Sequence, residues 1–143
     1  MVDRLYDVER LQFSDHDIAF DLDGHAGSTA RILNASLGKN VGVYNWEYVG
    51  AGLDLFDSGW TELQVCDAVT GLVFGTSSNA QFVATVCGFI QYHPTQPDTD
   101  YLVALLQSGA VSRGLMLMIA ADSDLNAQAV DLTGLATTGL SYQ

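Results

Sequence analysis

Asp21 and Asp23, two residues apart and followed by Gly24 in the stretch "FDLDGHAGST", are the residues of this chain that most resemble the opening of a calcium loop. Hard cations take oxygen ligands, so two carboxylates and a nearby carbonyl are the right chemistry. Asp15 or Asp17, across the turn, would add a further oxygen. An EF-hand is excluded by spacing: counting from Asp21, Ala26 holds the glycine position and Ile32 the place of the bidentate glutamate. What remains is an irregular calcium site, or a corner in which Asp23 and Gly24 take positive φ and Ser28 or Thr29 caps a helix. In that corner His25 is a solvent-facing turn residue.

His16, His25 and His93 are the candidate bases, each in a separate turn-like stretch. Cys66 and Cys87 are the only cysteines and lie on apolar helical faces, where they read as small buried hydrophobes or as one disulfide between neighbouring helices. A thiol paired with His93 is the alternative chemistry. No G-x-S-x-G elbow, H-E-x-x-H helix or phosphate-binding glycine loop occurs, so no catalytic residue is assigned. Tyr44, Trp46, Tyr48 and Trp60 gather in one inter-helix region, where Trp46 and Trp60 are candidates for stacking on a sugar or anchoring a partner. Tyr92 and His93, in the proline-rich break "YHPTQPD", form a second candidate contact loop.

The elements that position these residues follow from periodicity. Residues 8–20 alternate on either side of Ser14-Asp15-His16-Asp17, the pattern of a β-hairpin. From about Ser28 the period is helical, in segments that Gly38, Ser58-Gly59 and Ser108-Gly109 end. Thr61 with Gln64, and Ser78 with Gln81, have the spacing of reciprocal capping boxes; Ser112, then Asp122 or Ser123, begin later helices. The apolar stripes include Tyr101, Leu102, Leu105 and Leu106 in the fifth helix and Leu115, Met118 and Ile119 in the sixth. The predicted fold is mainly α: a short N-terminal β-hairpin and turn (1–27), then a bundle of about six to seven helices (28–143). That bundle reads as two diverged units of one folding body, 28–77 and 78–143, because "LDLFDSGWTELQV" parallels "LVALLQSGAVSRGLM".

With 143 residues and 48% apolar content the chain supports one domain. Seventeen acidic against five basic residues give a net charge of −12, which repels phosphate backbones, so nucleic acid is not an expected partner. No apolar run approaches the roughly 20 residues of a membrane span, and no basic-then-apolar leader opens the chain.

"VERLQFSDHDIAFDLDGHAG" resembles the strand pair that closes the β-roll of RTX (hemolysin-type calcium-binding) secreted proteins. The helical part resembles the domain of unknown function that follows such repeats and occurs in S-layer-associated bacterial proteins. Its unit of Leu-Gly-Arg, Pro-Asp, Gly-Leu-x-Tyr-Trp and a Ser-Gly helix end is matched by "FIQYHPTQPDTDYLVALLQSG" at Pro94, Tyr101-Leu102 and Ser108-Gly109. It is departed from at Gln91-Tyr92 and Thr95. The resemblance implies a secreted or cell-surface setting with type I export, an upstream RTX-type β-region as partner, calcium nearby, and no catalytic residue. It implies a non-catalytic module for capping, export, adhesion or assembly. A carbohydrate- or small-ligand-binding domain is the alternative class and a cryptic hydrolase the third, while self-association stays open.

Overall fold

The computed structural model describes residues 10–13 and 15–143. Val8, Glu9 and Ser14, assigned above to the hairpin, lie outside the described residues. Strand β1 (Arg10–Gln12) pairs antiparallel with β2 (Asp17–Ala19), as the alternation predicts. Eight α-helical segments follow: α1 (His25–Gly38), α2 (Trp46–Asp57), α3 (Glu62–Phe74), α4 (Asn79–Phe89), α5 (Gln96–Ser108), α6 (Arg113–Ala121), α7 (Asp124–Val130) and α8 (Leu132–Thr138). A π-helical turn (Lys39–Val43) links α1 to α2. The mainly helical fold with its hairpin is therefore as expected.

The caps sit where the sequence put them. Thr61 and Gln64 form a complete capping box on α3, Ser78 and Gln81 another on α4, and Ser112 and Ser123 cap α6 and α7. At both Ser-Gly helix ends the glycine has positive φ, Gly59 at 97° and Gly109 at 78°, the conformation only glycine adopts freely. Gly38 is doubly constrained: its φ is 82°, and a β-carbon there would come within 2.8 Å of the Phe89 ring.

Several expectations are corrected. The C-terminal segment does not end as helix: β3 (Leu140–Tyr142) pairs antiparallel with β2, giving the order β1-β2-β3. A two-stranded ribbon buries too little to persist alone, and the chain end supplies the third strand. Its backbone lies so close to α2 that a β-carbon at Gly50 would collide with the carbonyl of Gln143. The second correction concerns phase. In α6 the buried residues are Gly114, Leu117 and Ala121 while Ile119 is exposed, and α5 has no buried residue, Tyr101 being well exposed. These helices are so rich in apolar residues that several stripes fit one sequence, and the neighbours choose. The third is the aromatic region, taken up below.

Helix α1 organises the core. Ile32 and Ala35 join one apolar cluster with Phe56, Val65, Phe74, Phe82, Val86 and Leu117, drawn from α2, α3, α4 and α6. Ala26, Ala30 and Leu33 join a second with Ala19, Val49, Leu53, Val130 and Leu140, beneath the sheet. A helix buried on both sides must bury its polar groups as well. Asn34 donates to the side-chain oxygen of Asn126 at 2.7 Å and to the carbonyl of Phe89 at 3.3 Å. Asn126, fully buried, donates onward to the carbonyls of Arg31 at 2.9 Å and Ala121 at 2.8 Å. This amide pair ties α1, α4, α6 and α7 together. Asn126→Ala leaves Asn34 and two carbonyls short of partners, and is expected to lower the unfolding free energy in urea by about 2 to 4 kcal/mol. A loss under 1 kcal/mol would show the pair to be dispensable.

Candidate functional site

The phrase "FDLDGHAGST" folds as the joint between sheet and bundle, and a charge cluster is built on it. Asp21 follows β2; its carboxylate accepts from Arg10 Nε at 2.9 Å and Nη2 at 3.0 Å, and from the backbone N–H of Ala26 at 3.3 Å. Its own carbonyl accepts from the N–H groups of Gly24 and Gly27. Asp21 thus satisfies orphan donors at the start of α1. Capping by Ser28 or Thr29 is a misassignment: Gly24 precedes the helix with φ −124°, and Thr29 is buried inside it, donating to the carbonyl of His25 at 2.8 Å.

Arg10 extends to Asp57, the last residue of α2, with Nη1 at 2.9 Å and Nη2 at 3.3 Å. Nδ1 of His25 lies 2.8 Å from the same carboxylate, its ring stacked on Phe56 at 5.5 Å. His25 is therefore no turn residue but the first residue of α1, bridging to α2. Arg10 hydrogen bonds hold Asp57 below the usual carboxylate range against a smaller cost of burial. At Asp21 burial is the largest influence and opposes the charge, but the Arg10 and backbone hydrogen bonds together outweigh it and hold the carboxyl low. Hydrogen bonds to the two aspartates push the guanidinium up, against burial.

The remaining carboxylates of the calcium set stand elsewhere. Asp23 is exposed beside the corner, Asp15 pairs with His16 at 2.9 Å in the hairpin turn, and Asp17 lies in β2 opposite Gln12 and Tyr142. Asp17 is four residues from Asp21 along a chain that is strand as far as Ala19, a span of at most roughly 13 Å. Among the described residues no three His, Cys, Asp or Glu side chains gather as a metal site, and a cation at Asp21 would have to displace the Arg10 guanidinium.

The aromatic residues divide between the two ends of α2, with Tyr44, Trp46 and Tyr48, all exposed, at its start. Trp46 begins α2 and stacks on His16 at 4.3 Å, whereas Trp60 lies beyond the other end of that helix, roughly 18 Å along its axis. Tyr92 borders an apolar cavity of about 280 Å³ between α4 and α6, and His93 is exposed in the link before α5. Both cysteines are buried and free, in α3 and α4. Burial, with Glu62, Asp122 and Asp67 around it, pushes the Cys66 thiol up to about 12, and burial also raises Cys87. Neither is a thiolate at neutral pH.

One pair escaped the sequence because its members are 60 residues apart. Glu62, at the start of α3, faces Asp122 at the end of α6, and its buried Oε1 has no donor partner. Two carboxyls share a hydrogen bond only when one keeps its proton; burial first, then Asp122, pushes Glu62 up to about 7, against the pull of Arg31.

Comparison with protein-family models, curated proteins and solved structures finds no match to this chain.

The two carboxyl environments have opposite pH signatures. Asp21 contributes stability above its ordinary value of 3.8, lost as pH falls through its lower folded value. Asp21→Asn should cost about 2 kcal/mol in urea melts at pH 7, a difference that closes in acid; an equal cost at pH 7 and pH 2.5 would refute the ion pair. Glu62 behaves inversely: between 4.5 and about 7 the folded state binds the extra proton, so stability falls as pH rises through that window. Glu62→Gln should be more stable than the parent at pH 8, on the order of 1 kcal/mol after solvent screening, and nearly equal to it at pH 4.5. A parent as stable as the variant at pH 8 would contradict the shared proton.

Proposed function

We propose that this chain is a non-catalytic module of an extracellular or cell-surface bacterial protein, capping an RTX-type β-region and serving export, adhesion or assembly. The observation that carries this reading is the asymmetry of the sheet. One edge, β3, is held against α2, where the N–H of Gln143 donates to the carbonyl of Trp46 at 2.9 Å. The other, β1, pairs among the described residues only with β2, so its outer main-chain groups offer a template for added strands. The Arg10 clamp supports the same reading, because it fixes that edge strand to α1 and α2. Calcium, in this reading, is held by the preceding repeats. The histidines fit it too: His16 and His25 are engaged in ring stacking and in hydrogen bonds to Asp15 and Asp57.

The test is a fusion. A block of Gly-Gly-x-Gly-x-Asp repeats placed ahead of the chain should fold, by circular dichroism, at several-fold lower calcium than the same block ahead of an unrelated helical domain. An unchanged calcium midpoint would overturn the capping role.

A further inference from the structure

Helices α1, α2 and α3 do not close on one another. Between them lies a groove of about 390 Å³, with buried Ile32, Leu33 and Val65 at its bottom and exposed Leu72 and Tyr48 at its rim. The gap has a cause in the sequence: Ala51 and Ala68 stand where larger side chains would interdigitate, while at Gly52 α1 and α2 are in close contact, a β-carbon there falling within 2.7 Å of the Thr29 methyl. It is also chemically uniform. Thr29 and Tyr48 alone among its lining residues have polar side chains, and the Thr29 hydroxyl is already committed to the His25 carbonyl. A polar group inserted there would go unpartnered, so whatever fills the groove is hydrocarbon. Leu72, 87% exposed, gains cover when it is filled.

We propose that this groove binds a single unbranched alkyl or acyl chain whose head, at the rim beside the Tyr48 hydroxyl, is neutral or cationic. Length follows from volume. A dry cavity of about 150 Å³ accepts benzene, so at the same space per carbon this groove houses roughly a dozen to fifteen carbons. Head charge follows from electrostatics: among the described residues no lysine or arginine lines the groove to pair with a carboxylate, and the chain carries a net charge of −12.

The experiment titrates the full chain with monomeric dodecyl maltoside, dodecyltrimethylammonium and dodecanoate below their micellar concentrations, reading amide chemical shifts. The maltoside and ammonium compounds should saturate one site, with shifts at Tyr48, Ala51, Ala68 and Leu72, and dodecanoate should bind at least tenfold more weakly. Ala68→Phe fills the groove and should weaken binding at least tenfold; Ala51→Leu, with the same expectation, serves if the first variant fails to fold. Vesicles of neutral phosphatidylcholine distinguish the source of the chain. Co-sedimentation that Ala68→Phe abolishes supports a bilayer, whereas monomer binding without co-sedimentation supports a dispersed amphiphile. The proposal is overturned if no dodecyl probe saturates, if dodecanoate binds as tightly as the others, if the variants bind undiminished, or if the shifts map to the α4–α6 cavity. None of these outcomes bears on the calcium midpoint of the fusion.

Discussion

The burial of α1 on both sides is the constraint from which the remaining architecture follows. A helix with Ile32 and Ala35 in one cluster and Ala26, Ala30 and Leu33 in another leaves little solvent for the donors of its first turn or for the buried side chain of Asn34. These groups find partners both near and far in sequence. Asp21 serves the first turn, Asn126 satisfies Asn34, and Phe89 closes over Gly38, where a β-carbon would not fit. The small side chains that make such burial achievable, Ala26, Ala30 and Ala35, let neighbouring helices approach closely. On the faces of α2 and α3 turned to α1, the small side chains of Ala51 and Ala68 leave a gap unfilled, and the groove persists there.

Electrostatics in this acidic protein is a matter of where its few cations go. Five basic residues cannot neutralise seventeen acidic ones. Arg10 is placed where three elements meet and serves two aspartates. Arg113 goes instead to the α3–α4 junction, donating to the carbonyls of Phe74 and Ser77 at 2.7 Å and to Asn79 at 3.0 Å, over the Phe82 ring. Both act as covers for polar groups that would otherwise lack partners. At Glu62 and Asp122, where the pull of Arg31 is outweighed by burial and by the neighbouring carboxylate, a proton takes the place of a cation.

The sheet shows how one short strand changes the meaning of a motif. Viewed with its immediate neighbours, the Asp-x-Asp-Gly phrase suggests a loop that gathers a cation. With β3 beside β2 and Arg10 on β1 facing back across the sheet, its first aspartate is a hinge pin between strand and helix. The same carboxylate chemistry serves, with a guanidinium as the cation and a helix N–H as the third ligand.

Local chemistry was legible in the sequence: the hairpin alternation, the two capping boxes, the Ser and Thr caps and the glycine helix ends depend on groups within about four residues of one another. Apart from the cap expected of Ser28 or Thr29, whose place Gly24 takes, those devices appear as read, because a hydroxyl three residues from an amide needs no distant partner. The choice among apolar stripes in α5 and α6, the strand at the chain end, the Asn34–Asn126 pair and the Glu62–Asp122 pair were decided only by tertiary structure. Each depends on which surfaces compete for burial, and composition without a partner does not settle that competition. Asp21 stands at the boundary: its charge and its place before a helix were visible, and its occupant was fixed only when β1 folded against α2.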